Sequence, residues 1–284
     1  MLKEDVRYKY IIDSPPLQPF TKKYESYQEC QISWNSYCLK KDALFYQFKT
    51  GREAETIELF PDACLNVLFE LEKSKPRALF SGTFLRAETL DLKPETVYFG
   101  FKPYSNSGFR SQKIHLREMV NSFTDFAYVF PDSDCLIANL NRADGLRERA
   151  YIFSNYAAEH LVDDAYYPTL VDYLAAMLCS AQRTIDFNNI SEVFGYSERY
   201  CREKFKECYG ISPKQYSDII RFQNTMKILL SGSWETLCSL AAINGYFDQS
   251  HLIHDFRRYT NVPPEKFLKK YSTYQPDRRS CRCI

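Results

Sequence analysis

The spacing of hydrophobic and polar positions changes character along this chain. Up to about residue 135, short apolar runs ("WNSYCL", "ALFYQF", "TIELF", "LNVLFEL", "ALFSGTF", "TVYFGF") are cut at close intervals by turn residues such as Pro61-Asp62, Lys75-Pro76 and Lys93-Pro94. Thr56-Ile57-Glu58-Leu59 and Asn66 to Leu71 alternate with period two, the signature of strands with one buried face. This predicts an all-β unit, a small barrel or sandwich. From 115 to 165 the period becomes helical: Leu136, Leu140, Leu146, Ile152, Phe153 and Tyr156 supply apolar positions, with a break at Asn141 to Gly145. Asp163-Asp164-Ala165 marks a linker, Pro168 opens a further helix, and everything from there to residue 272 carries helical spacing.

Within that last stretch one plan is written twice. Gly195-Tyr196, Phe205-Lys206, Gly210, Pro213 and Tyr216 are matched by Gly245-Tyr246, Phe256-Arg257, Asn261, Pro264 and Phe267. Each copy predicts a short helix, a tight turn at Gly, a second helix, a stop, and a restart at Pro, which is a helix-turn-helix. Ile190, Val193 and Phe194 give the first short helix its apolar edge. Ser197 and Asp248 are placed to cap the second helices, predicted at about 198–209 and 249–259. Gly210 and Asn261 both tolerate the left-handed conformation that ends a helix. Cys201, Phe205 and Cys208 form an inward stripe in one copy, and Leu252, Phe256 and Tyr259 form it in the other. Outward positions fall to Arg199, Arg202, Glu203 and Lys206 in the first, and to Gln249, Ser250, Ile253, His254 and Arg257 in the second.

Between the copies, Pro213 to Leu230 reads as one unbroken helix with Ser212-Pro213 as cap and first turn. At ~1.5 Å per residue it spans roughly 27 Å, close to the ~34 Å that separates successive major grooves on one face of a duplex. One chain is then able to present two recognition helices to adjacent major-groove segments. The expected base and phosphate contacts are Arg199, Arg202 and Lys206 from the first helix, and Gln249, Ser250, His251, His254 and Arg257 from the second. Arg pairs bidentately with guanine and Gln with adenine. The Arg/Lys-rich first helix is expected to hold bases more firmly, and the second to vary more.

Residues from about 167 to 272 resemble the DNA-binding domain of the AraC/XylS family of bacterial transcription regulators. The resemblance rests on "FGYSERYCREKFKECYGISPKQYSDIIRFQNTMKILL" and, more specifically, on "LAAINGYFDQSHLIHDFRRYTNVPPEKFLKKY". Asn261 stands where family members usually carry Gly, and His254 where Arg is frequent. A weaker resemblance to one AraC-type N-terminal domain rests on "YIIDSPPLQPF", "FPDACLNVLFEL", Gly82 and "GFKP", although Pro103-Tyr104 replaces the usual Pro-Gly. The resemblance implies two helix-turn-helix units joined by a long helix. It also implies an N-terminal domain that binds a small-molecule effector, dimerises, or both, and RNA polymerase as a candidate partner.

The fold class expected is therefore α+β in two domains. Residues 1–162 would form a β-barrel or sandwich with accessory helices, residues 167–272 an all-α domain of two helix-turn-helix units, and residues 273–284 a disordered tail. Charge adds a qualification. Between residues 184 and 272 there are 12 Lys and Arg against 10 Asp and Glu. Binding must then depend on where the basic residues sit rather than on a bulk field. A protein-interaction module with a helical docking face is the competing class, supported by that low charge alone.

Other readings lack residues to carry them. The β-unit has His115 as its one histidine, with no Gly-x-Ser-x-Gly, no phosphate loop and no metal-spaced cluster, so no enzyme, metal or cofactor is expected. Cys281-Arg-Cys283 has one intervening residue and no partner pair, unlike a zinc knuckle. The remaining cysteines are scattered as in a reduced, cytoplasmic protein. No apolar run spans a bilayer and no secretory leader is evident. The β-unit is rich in aromatics (Tyr37, Phe45, Tyr46, Phe48, Phe69, Phe84, Tyr98, Phe99, Phe101), which either line an effector cavity or fill the core. The helices between residues 115 and 165 are candidates for a homodimer contact.

Overall fold

A computed structural model describes residues 17–24, 26–36, 39–72, 75–104, 106, 114–161, 170–179, 190, 192, 194–271 and 281–282. Its first half is built on a seven-stranded sheet in the order β8-β5-β4-β7-β2-β1-β9. The strands are β1 (Gln28–Ser36), β2 (Leu39–Lys49), β4 (Asn66–Leu71), β5 (Arg77–Ser81), β7 (Val97–Pro103), β8 (Phe123–Asp125) and β9 (Cys281–Arg282). Neighbours are antiparallel except that β9 runs parallel to β1, with Cys30 opposite Cys281. A separate pair, β3 (Glu55–Leu59) and β6 (Glu88–Leu92), forms a two-stranded sheet. The large sheet stays open, so of the two expected architectures the structure takes the sandwich-like one.

Strand alternation sorts the aromatic residues onto two faces. Phe45, Phe69, Phe99 and Phe101 point to one side, where α1 (Phe126–Val129), α2 (Asp134–Arg142) and α3 (Leu146–His160) cover them. Phe153 of α3 lies 4.6 Å from the Phe101 ring and 5.5 Å from the Phe69 ring, centroid to centroid. Tyr46, Phe48 and Tyr98 point to the other side, against Phe20, Tyr24, Ile57 and Leu92. The Tyr46 ring lies over Gly100, where any Cβ would fall within 2.0 Å of it, so this cross-strand pair needs glycine. These rings are spent on packing one another. Tyr37 lies outside the described residues.

The region from 115 to 165 is less uniformly helical than its periodicity suggests. A 3-10 turn at Leu116–Met119 precedes β8, which extends the sheet by pairing with β5. Asp125 ends that strand and caps α1, its Oδ1 accepting from Ala127 N at 2.8 Å. The predicted break is real: α2 ends at Arg142, and Gly145 has φ +95° before α3 begins. The linker at 163–165 and Pro168 lie outside the described residues. So does most of the tail, apart from the two residues of β9.

The second half is helical: α4 (Leu170–Cys179), α5 (Glu198–Tyr209), α6 (Pro213–Ser231), α7 (Leu237–Ile243), α8 (Gln249–Thr260) and α9 (Pro264–Lys270). No helix among the described residues is long and apolar enough to cross a membrane. The two halves share a core, since Phe60 and Ala63, from the segment between β3 and β4, are buried within the helical cluster. Phe60 makes edge contacts with Phe267 (5.3 Å) and Tyr271 (5.8 Å). Gln223 on α6, 3% exposed, is the polar centre of this seam. Its Oε1 accepts from Leu17 N (2.8 Å) and its Nε2 donates to Pro61 O (2.6 Å).

Candidate nucleic-acid interface

Both predicted recognition helices form, and their ends explain why. At α5, Ser197 Oγ accepts from Tyr200 N (3.3 Å), and Gly210 closes the helix in the left-handed region at φ +75°. At α8, Asp248 Oδ1 accepts from His251 N (2.7 Å), and Asn261 closes it at φ 63°. Asn261 thus reproduces the conformation that Gly210 supplies in the other copy. The connector α6 begins at the expected Ser212-Pro213, with Ser212 and Gln215 forming a reciprocal capping box. Of the first short helix of unit one, residues 190, 192 and 194 are helical and Ile190 is buried; Val193 lies outside the described residues. The corresponding helix of unit two is α7, capped by Thr236 through Ser239.

Each recognition helix buries one stripe. Cys201, Phe205 and Tyr209 are buried in α5, with Cys208 only half-buried; Leu252, Phe256 and Tyr259 are buried in α8. The Phe222 ring of α6 packs on Phe256 (5.4 Å) and Tyr259 (4.9 Å) and so fixes the second reading helix to the connector. Ile253, read from the sequence as outward, is half-buried against this core, because its position borders the Leu252–Phe256 stripe.

The polar residues assigned to DNA differ in how free they are. Arg199 and Lys206 are exposed on α5. Arg202 is exposed too, but Glu198 one turn earlier holds it at 2.6 Å, and Lys204 is tied to Glu207 at 2.7 Å. On α8, Gln249, Ser250, His254 and Arg257 are exposed. His251 is half-buried: its Nδ1 accepts from Phe247 N (3.3 Å) and its ring stands edge-on to Tyr246 at 5.3 Å. His251 therefore shapes the turn as well as bordering the outward face.

Sequence reasoning missed the charge cluster that orients the second unit. Asp255, on the inward side of α8, accepts from Arg221 of α6 (2.8 Å), which also reaches Asp218 (3.0 Å) and lies 4.5 Å over the Tyr246 ring. Burial raises the Asp218 carboxyl above its usual value, while nearby Arg221 pulls it back. The available signal was a carboxylate adjacent to a buried Phe on an apolar stripe. Also missed was Phe247, 93% exposed in the turn before α8.

Capped second helices on buried stripes, twice over and joined by one long helix, make two helix-turn-helix units. Residues 190–270 match the family model described as a helix-turn-helix domain. No curated protein matches the sequence. Among solved structures, the chain is similar to a probable AraC family transcriptional regulator from Rhodopseudomonas palustris, at 21% identity over 36% of this chain and 93% of that one, TM-score 0.30. It is similar to a DNA-binding transcriptional dual regulator from Escherichia coli K-12, at 17% identity over 39% and 100%, TM-score 0.32. It is also similar to ToxT from Vibrio cholerae, at 12% identity over 86% and 98%, TM-score 0.42.

Proposed function

We propose that the chain reads DNA with α5 and α8 in successive major grooves, under the control of its β-rich half. The observation that carries this reading is the outward polar face shared by two equally capped helices on either end of one 19-residue connector. Arg199, Arg202 and Lys206 would serve one half-site, and Gln249, Ser250, His254 and Arg257 the other, with His251 holding the turn. Arg and Gln are the base readers in this set; Lys and Ser hold phosphate.

The domains we assign are residues 1–162 for control and 167–272 for reading. Control has a physical route. The Leu116 carbonyl abuts Gly210 at the end of α5, Thr83 Oγ1 donates to Tyr209 O (3.5 Å), and Gln223 ties α6 to Leu17 and Pro61. A small effector or a homodimer contact on the β-rich half would bias the reading helices through this seam. RNA polymerase is a further partner of this reading, and the cytoplasm its compartment.

Selection of duplexes from a random-sequence pool by the full-length protein tests the core reading. Enrichment of a site with two motifs about one helical turn apart is the expected result. Recovery of no sequence, with binding to protein partners instead, would favour a protein-docking role for the helical half.

A further inference from the structure

Phe247 occupies a position that intramolecular packing does not explain. It is 93% exposed, whereas its neighbour Tyr246 is buried and lies against Arg221. A phenyl ring with nearly all of its surface in water adds nothing to the core. Nor does it hang on a loose loop. Its backbone N–H donates to His251 Nδ1, the next residue caps α8 through Asp248, and Gly245 sets the preceding turn at φ +70°. The ring is thus presented from a rigid turn, one residue ahead of the cap and two ahead of Gln249.

In a helix-turn-helix the N-terminal residues of the second helix approach the base edges. Along that edge the major groove offers hydrogen-bonding groups at every base pair and one apolar group, the thymine C5-methyl. We infer that Phe247 is a specificity-determining residue that packs on a thymine methyl in the half-site read by α8. This rests on the DNA-reading assignment above. It adds an apolar contact to a helix whose other outward residues all recognise by hydrogen bonding, and it makes His251 a positioning residue for that contact.

The test uses the full-length protein and the duplex it selects from a random pool. Each thymine of that duplex is replaced in turn by uracil, which differs only in lacking the methyl. The wild-type protein should lose affinity about fourfold at one thymine, the equivalent of one buried methyl group. Phe247→Ala should bind the thymine and uracil versions of that site equally, with an unchanged melting temperature because the ring is exposed. Phe247→Leu, which keeps an apolar surface, should restore part of the discrimination. If the wild type is indifferent to every uracil, or Phe247→Ala keeps the discrimination, the inference is overturned while DNA reading stands. If no duplex is selected at all, the DNA-reading assignment itself fails, and the inference with it.

Discussion

The two helix-turn-helix units share a plan but dispose of charge in opposite ways. The first keeps carboxylates on the outer face of α5, where Glu198 pairs with Arg202 and Glu207 with Lys204. The second has one carboxylate within α8, Asp255, and turns it inward onto Arg221. Its outer face is left with Gln249, Ser250, His254 and Arg257. Basic residue counts alone favour the first helix as the firmer reader; the pairing geometry favours the second. A charged side chain counts toward recognition only after its intramolecular partners are subtracted.

The largest test of this contrast is stability. Asp255→Ala removes one of the two carboxylates that meet the largely buried Arg221 and leaves it Asp218 alone, so it should cost about 2 kcal/mol in chemical denaturation. Glu198→Ala, which breaks an exposed pair, should cost under ~0.5 kcal/mol. Similar losses for both would erase the distinction between an inward and an outward pair.

The connector sharpens the comparison with a second cation. Arg221 serves the second unit and meets two carboxylates. Lys227, six residues on, is half-buried near the Cys64 and Cys179 thiols, and desolvation holds its pKa down at about 8. An unfolded lysine titrates near ~10.4. Lys227 therefore destabilises the fold wherever the unfolded chain is charged, fully so below pH 8, and the penalty fades as pH rises toward 10.4. Lys227→Met should raise stability by about 2 kcal/mol at pH 7 and by much less at pH 10, read from denaturation midpoints at both values. A pH-independent gain would mean that packing, not charge, separates the two side chains.

Next comes the stop at each helix. Gly210→Ala combines a left-handed backbone with a Cβ 2.6 Å from the Leu116 carbonyl, so it should lose about 2 kcal/mol or more. Asn261→Ala should lose only the backbone share, roughly 1 kcal/mol. Equal values would show that the β-rich half does not brace the first unit. The smallest effects are on binding. Gln249→Ala should weaken the selected site by about 1–2 kcal/mol in a titration, and Arg202→Ala by less, because its guanidinium is already engaged. Glu198→Gln, which weakens one hold on Arg202 and removes a negative charge from the outer face, should tighten binding by a few tenths of a kcal/mol. A larger loss from Arg202→Ala than from Gln249→Ala would restore the first helix as the firmer reader.

The helical half was legible because its signals are local. Ser197, Asp248, Ser212-Pro213, Gly210 and Asn261 act within one turn of themselves, and they set α5, α6 and α8 to within a residue of expectation. The sheet was legible as strands but not as an order, because which strand neighbours which is decided by pairings such as β7 between β4 and β2, far apart in sequence. β8 was concealed within a helical period because its three residues become a strand only beside β5. The candidate interface was half legible. Outward positions follow from the inward stripe, but Glu198 capturing Arg202, Asp255 reaching Arg221, and His251 serving the turn all depend on rotamers and on neighbours that spacing does not specify.

The Gln223 amide also has a kinetic meaning. It joins α6 to a residue 206 positions earlier, and with Pro61 it fastens three segments by one side chain. Closing so long a loop costs only ~0.6 kcal/mol more than closing one half its length, yet contacts this remote in sequence form late. The seam is thus expected to open before either core on heating, and amide exchange at Leu17 should report its breathing.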